Sequence, residues 1–263
     1  MRDTNGDGYK NWLHKTRTDS SSNKYLNDDY HVMNEELTHG MVASMAYTLK
    51  QAGYSSSAKF WTDYLKNDFE AKWRKRSGKR SGFPFIEHKL MHPTLNIIRY
   101  NYYMYKLTGD SDYYSEAKRL ASKVRGTMHS SDGGYVWAHE VSSRSGCQPM
   151  TYVKYTTSAL ADLSTASSSL FDSSFMKRVA YTMAHKTLKN SSGTSLADNI
   201  CGSGSYGSVN MFAEYPYAQL APWDSLGRLE TAAERVYAAS ERHNLSSPKS
   251  ANIPAIMVFT KGR

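Results

Sequence analysis

Along most of the chain apolar residues recur at helical spacing, and polar turns interrupt them at regular intervals. Four segments repeat one layout: an aromatic-rich helix, a short polar turn, then an amphipathic helix. The pattern predicts a first pair from 31 to 52 and 58 to 76, turning at Gly53-Tyr54-Ser55-Ser56-Ser57. It predicts a second from 90 to 107 and 112 to 124, turning at Thr108-Gly109-Asp110-Ser111. The third runs from 150 to 166 and 174 to 188, across a serine-rich turn ending at Asp172. The fourth runs from about 208 to 220 and on to about 242, turning at Pro222-Trp223-Asp224-Ser225. Gly closes the first helix in two pairs and Ser or Asp opens the second in all four, as capping preferences require. Turns near 54, 110, 169 and 224 give a period of roughly 55 to 60 residues, the mark of stacked helical hairpins that cannot bury their apolar faces alone. Phe60, Leu65, Phe69 and Trp73, and Ala117, Leu120, Ala121 and Val124, read as core stripes.

Two inserts break the repeat. Asp132-Gly133-Gly134-Tyr135-Val136-Trp137-Ala138-His139 reads as a turn followed by a short strand. Residues 191 to 207, rich in Gly and Ser, read as a long loop without a core of its own, where function often resides. The expected organisation is one domain over 1–263, with an irregular start at 1–30 and a tail at 244–263.

Within the second pair, Tyr102-Tyr103-Met104-Tyr105-Lys106-Leu107-Thr108-Gly109-Asp110-Ser111-Asp112-Tyr113, followed by Ala117, Leu120 and Ala121, resembles the helix-turn-helix unit of α/α-toroid carbohydrate enzymes. That group takes in alginate-lyase-like and glucuronan-lyase-like polysaccharide lyases, unsaturated glucuronyl hydrolases and the helical domain of uronyl epimerases. The resemblance covers one hairpin clearly and the others loosely. It implies an all-α fold: an α/α toroid, or incomplete barrel, of about four or more antiparallel hairpins with a short β insert. It also implies that the first helix of each hairpin lines a central cleft.

Charge narrows the partners. A net charge of +9, from 33 Lys and Arg against 24 Asp and Glu, favours a polyanion. Part of the excess lies in the run from Lys72 to Arg80, which reads as a solvated helix end. No helix-turn-helix, finger or RNA-binding signature accompanies it, so nucleic acid is not the expected partner. Twenty Tyr against eight Phe suits a surface that holds wet, polar ligands such as sugars. An anionic polysaccharide is therefore the expected partner, and a monomer the expected state. No apolar stretch approaches the ~20 residues of a membrane span. Met1-Arg2-Asp3-Thr4-Asn5 is polar, carries no signal peptide, and reads as a mature or trimmed start with an added methionine. Abundant Ser, Tyr, Asn and Gly with little Glu point to a secreted or periplasmic protein. Cys147 and Cys201 sit in glycine-containing loops; they either join those loops in an oxidising compartment or remain two thiols.

The strongest candidate chemistry lies on the second inner helix. His92, Asn96, Arg99 and Tyr103 fall at offsets 0, 4, 7 and 11, one helix face. Lytic cleavage of a uronan needs such groups: Arg99 or Asn96 to stabilise the carboxylate as negative charge builds on it, and Tyr103 or His92 to move protons. Packing of this face against a neighbour is the structural alternative. A second stripe is His31, Glu35 and His39, with His39 the candidate catalytic group and Glu36 a flanking cleft residue; a shared metal ion is the weaker reading. The third inner helix offers Tyr155 as a catalytic candidate, with Gln148 and Tyr152 as substrate contacts and Lys154 alongside. Tyr206, Asn210, Tyr215 and Trp223 are subsite candidates on the fourth, and His139 could reach over the cleft as a lid. Candidate carboxylates for a hydrolase are Glu35, Glu36, Asp162 and Glu214, with no familiar catalytic motif around them. Asp3, Asn5 and Asp7 resemble the first half of a calcium loop, but position twelve is His14, so the full signature fails. No nucleophile elbow, phosphate loop or dinucleotide fingerprint is present. The leading expectation is a polysaccharide lyase, without a cofactor. A glycoside hydrolase of the same architecture and a non-catalytic glycan-binding protein are the alternatives.

Overall fold

A computed structural model describes residues 8–10, 32–76, 89–190, 195–204 and 217–241, which are predominantly helical with one two-stranded sheet among them. They fall into two compact units.

The first unit holds α1 (Val32–Gln51), α2 (Ser55–Tyr64), a π-helical stretch (Leu65–Glu70) and α3 (Ala71–Arg76). It also takes in α4 (Met91–Thr108) from Pro93 onward and α5 (Ser111–Thr127) as far as Leu120. The expected stops of α1 and α4 are borne out, whereas α2 opens at Ser55, three residues early, after Tyr54 and without a side-chain cap. Gly53 and Gly109 adopt φ of +85° and +79°, the left-handed residue that stops a helix without a Cβ penalty. Asp110 accepts a hydrogen bond from the Asp112 amide as α5 opens. Leu65, Phe69 and Trp73, four residues apart, are all buried, as are Ala117 and Leu120. Phe60 departs from the expected stripe and is 55% exposed. Five helical positions before Leu65 turn it well off the buried face, and its ring makes a T-shaped contact with Trp61.

The basic run also differs from expectation. Lys72 is buried, not solvated, and its Nζ donates to Glu35 Oε1 at 2.6 Å. Trp73 Nε1 donates to the other Glu35 oxygen, and Arg74 pairs with Glu70. Burial this deep requires a partner for each charge, and the carboxylates of α1 and the π stretch provide them. Residues 77–80 lie outside the described residues.

The second unit comprises residues 90–92 and the described residues from 121 onward. Here β1 (His129–Ser131) and β2 (Gly134–Val136) pair antiparallel. The expected turn and strand thus gain a partner strand. Asp132 and Gly133 both have positive φ, the two-residue turn whose twist matches a hairpin. Helix α6 (Met150–Ala166) follows, then α7 (Ser173–Thr182), which continues as a π stretch (Met183–Thr187). Asp172 caps α7 by accepting from the Phe175 amide, and this bond holds its carboxyl down at about 2. Three residues at helical steps of four clamp the hairpin onto this helix. Arg178 covers the Tyr135 ring, Thr182 donates to Tyr135 O, and Lys186 pairs with Asp132.

Cys147 and Cys201 form a disulfide. With it, residues 195–204 gain a core that the loop reading did not foresee: Leu196, Ala197 and Ile200 are fully buried, and Asn199 bridges to Pro149. The fourth pair also departs from expectation. Residues 217–223 form a 3-10 helix (Tyr217–Trp223), not the end of an α-helix. Pro222 lies inside this segment and cannot donate to a helical ladder, and residues 208–216 of the expected helix lie outside the described residues. The segment leads into α8 (Arg228–Glu241), with Asp224 accepting from the Leu229 amide at its start. No helix among the described residues is long and apolar enough to cross a membrane.

Candidate functional site

The second unit gathers candidate residues from three separate segments. Leu90 and Glu140 form an antiparallel bridge, and the Met91 amide donates to His139 O at 2.9 Å. Those two links set His92 beside His139, with ring centroids 5.4 Å apart and nearly parallel. Tyr152 and Tyr155, three residues apart in the first turns of α6, bring their rings to the same place. The Tyr152 ring lies 4.8 Å from His92 and 4.7 Å from His139, and Tyr155 lies 6.1 Å from His92. Lys154 Nζ sits 5.1 Å from the centre of the Tyr155 ring.

The members differ in reach. His92 is fully buried, whereas His139, Tyr155 and Lys154 are half-buried and Tyr152 is exposed. The cluster is therefore a buried imidazole under a solvent-reachable layer of one imidazole, two phenols and one ammonium. That set can donate and accept protons and can face an anion.

Its foundation is rigid. Gln148, expected as a substrate contact, is fully buried, and its Oε1 accepts from Trp137 Nε1 at 2.7 Å and from Thr156 Oγ1 at 2.8 Å. Its backbone also bonds to Trp137 O and from Ile200 N. It ties the strand exit, the start of α6 and the disulfide loop together. Nothing in its spacing signalled this: its partner Trp137 belongs to the strand insert, and only Thr156 lies near it on α6.

The other sequence candidates are placed differently. On α4 the expected stripe does not stand apart, because every residue from Met91 to Met104 is buried. Within the first unit Arg99 donates to Asn96 Oδ1 at 3.2 Å, and Tyr103 packs against Tyr47 and Tyr102. His39 is buried with both ring nitrogens engaged, Nδ1 with Glu35 O and Nε2 with Tyr64 OH, and its ring stacks on Phe69 at 4.1 Å. Burial lowers its pKa to about 4. Glu36 is fully buried; neither of its oxygens has a hydrogen-bond partner among the described residues. Burial, and then the neighbouring Glu35, raise its pKa well above the carboxylate range. A third buried carboxylate, Glu70, accepts from Tyr100 and Tyr113, and burial followed by the Glu70 charge pushes both phenols up.

Trp223 is half-buried in the 3-10 helix. Tyr206, Asn210 and Tyr215 lie outside the described residues, as do Asp3, Asn5 and Asp7 of the calcium-loop resemblance and His31 of the first stripe. Among the described residues no group of three or more His, Cys, Asp and Glu is arranged to hold a metal. No protein-family model, curated protein or solved structure matches the chain.

Proposed function

We propose that the chain is a polysaccharide lyase that cleaves a uronic-acid-containing polymer by β-elimination, on an α/α-toroid scaffold like that of the alginate-lyase-like enzymes its second hairpin resembles. The observation that carries this reading is the convergence of His92, His139, Tyr152 and Tyr155 in one partly exposed cluster with Lys154 beside it.

β-Elimination needs a base to take the C5 proton. The electron pair left behind forms the C4–C5 double bond, the C4–O4 bond breaks, and an acid protonates the departing oxygen. His139 and Tyr152 are the reachable pair for these two transfers, being an imidazole and a phenol in ring contact. His92, buried below them, is a positioning residue, and Lys154 is the cation for the substrate carboxylate as charge builds on it. A hydrolase would need two carboxylic acids at defined separation, whereas these rings are imidazoles and phenols. The net charge of +9 suits a polyanionic substrate. The Cys147–Cys201 disulfide supports an exported setting.

The test is a panel of alginate, glucuronan, pectate, hyaluronan and heparan, read by ultraviolet absorbance and by reducing-sugar assay. A lyase yields the absorbance of a 4,5-unsaturated uronate. Reducing ends without that absorbance identify a hydrolase, and retention on the polymer without cleavage identifies a binding protein. On the polymer that is cut, Tyr152→Phe is expected to lower turnover by about 10²-fold or more, the scale of positioned acid–base catalysis.

A further inference from the structure

A second feature of the same unit is separate from the ring cluster. A pocket of about 400 Å³ opens between the end of α7 with its π stretch and the start of α8. That volume lies within the ~300–1,000 Å³ of small-molecule sites. The charged residues described in its lining are all of one sign: Lys189, Arg228 and Arg235. Its floor is apolar, made by Ala184 and Leu188, and Leu226 stands on its rim 64% exposed.

Two details make this more than scattered surface charge. Arg228 occupies the first turn of α8, where the positive end of the helix dipole disfavours a cation and where Asp224 and Glu230 supply the acids. Its guanidinium also donates to His185 Nδ1 at 3.3 Å, which requires that nitrogen to be unprotonated. Burial, and then the Arg228 charge, hold His185 below the usual imidazole range. Three cations thus line a concave, partly apolar surface, and His185 lies beside it in contact with Arg228. Such a lining suits an oxyanion, for which arginine offers a planar, two-pronged donor set.

We infer that this pocket binds a sugar-sized ligand carrying oxyanion groups, its carboxylate, sulfate or phosphate oxygens held by Arg228, Arg235 and Lys189 and its apolar face laid on Leu188 and Leu226. The site does not depend on the lyase reading, since it contains none of the ring cluster and would exist equally in a binding protein.

His185 provides the readout. Besides Arg228, it faces Asp224, whose charge raises it slightly, and the Tyr181 ring stacked on it at 4.1 Å. Its own helix adds Lys186, which pairs with Asp132. The experiment follows the His185 ring resonance of the full chain by NMR while sodium glucuronate, inorganic sulfate or inorganic phosphate is added in separate arms. Saturable binding of at least one probe is expected, together with an upward move of the His185 titration midpoint, because a bound anion offsets the Arg228 field. Arg228→Gln and Arg235→Gln are expected to weaken that binding tenfold or more. Arg228→Lys, which keeps the charge and loses the fork, is expected to fall between. Glucuronate binding more tightly than either inorganic ion assigns the apolar floor to a sugar ring, and the reverse order assigns the site to the bare oxyanion and overturns the sugar part. Linear, non-saturating shifts in all arms overturn the inference, as does binding unchanged in folded Arg228→Gln. The wild-type midpoint decides the matter even if a variant does not fold.

Discussion

Two buried imidazoles, His39 and His92, show how the same residue type is used in opposite ways. In the first unit His39 is locked between the Glu35 carbonyl and the Tyr64 hydroxyl and stacked on Phe69, amid a Glu35–Lys72–Trp73 ion-pair network. Each charge there is spent on holding helices together. In the second unit His92 lies against other chemically capable rings, and three of these, His139, Tyr152 and Tyr155, reach solvent in part or whole. A histidine whose nitrogens are engaged by its own fold is structural cement. One packed under exposed imidazole and phenol rings belongs to a surface that can work on a ligand. Spacing along a helix does not separate these cases; the neighbours do.

The largest effect belongs to the first network. Lys72→Ala strands the Glu35 carboxylate in the core, and stability is expected to fall by about 3–5 kcal/mol in a denaturant titration. A loss below about 1 kcal/mol would mean that the pair is solvated after all, and the contrast between the units would weaken.

The next is a pH effect. His39 has a folded pKa of about 4, below its ordinary 6.5, so the unfolded chain takes up the proton first as pH falls. Stability is therefore lost from about pH 6.5 down through about pH 4, by about 3 kcal/mol in all. Glu36 acts with the opposite slope. Its folded pKa is raised above 4.5, so its contribution is present below that value and is lost as pH rises through the folded pKa. His39→Gln should flatten the acid arm of the stability–pH curve and Glu36→Gln the arm above it. Unchanged curves would show that neither group is buried as described.

Gly40→Ala sharpens the picture of how closely the first unit packs. An added Cβ would lie 2.5 Å from the Asn96 carbonyl oxygen. In an open helix alanine would stabilise by up to about 1 kcal/mol relative to glycine. Here the backbone contact is expected to reverse the sign, giving a net loss of about 1–3 kcal/mol by thermal unfolding. A stabilised variant would show that α1 and α4 can separate at no cost.

Smallest in stability is Tyr152→Phe, within about 0.5 kcal/mol of wild type, because the residue is exposed. Set beside Lys72→Ala, this variant should leave folding intact while turnover collapses. Equal turnover on a cleaved polymer would remove Tyr152 from the proton relay.

Much of the helical framework was legible before any coordinates. The third inner helix was expected at 150 to 166 and spans Met150–Ala166, and α4 and α5 fall within a few residues of expectation. Caps and glycine stops are local signals, so reading them needs no knowledge of the rest of the chain. The π stretches at 65–70 and 183–187 were not legible, because a wider turn leaves no periodic mark in so few residues. Lys72 was misread for a related reason. A lysine in a run of basic residues looks solvated until a carboxylate from another helix is found buried against it.

For the candidate site, sequence alone supplied the members: His92, His139, Tyr152 and Tyr155 each stood out by type and position. It also fixed the predominantly helical class, the turn before the strand at Asp132-Gly133, and the turns that end α1 and α4. Only the tertiary structure decided which candidates meet. The Leu90–Glu140 bridge joins two segments far apart in the chain, and the Cys147–Cys201 link and Gln148 pin the start of α6 beside them. It also sent His39, Arg99 and Tyr103 into packed interiors. Helix formation is governed by neighbours three and four residues away, so a sequence displays it openly. Burial and proximity depend on which distant segments fold together, and in this chain those contacts separate a histidine locked by its own fold from one packed beneath partly exposed rings.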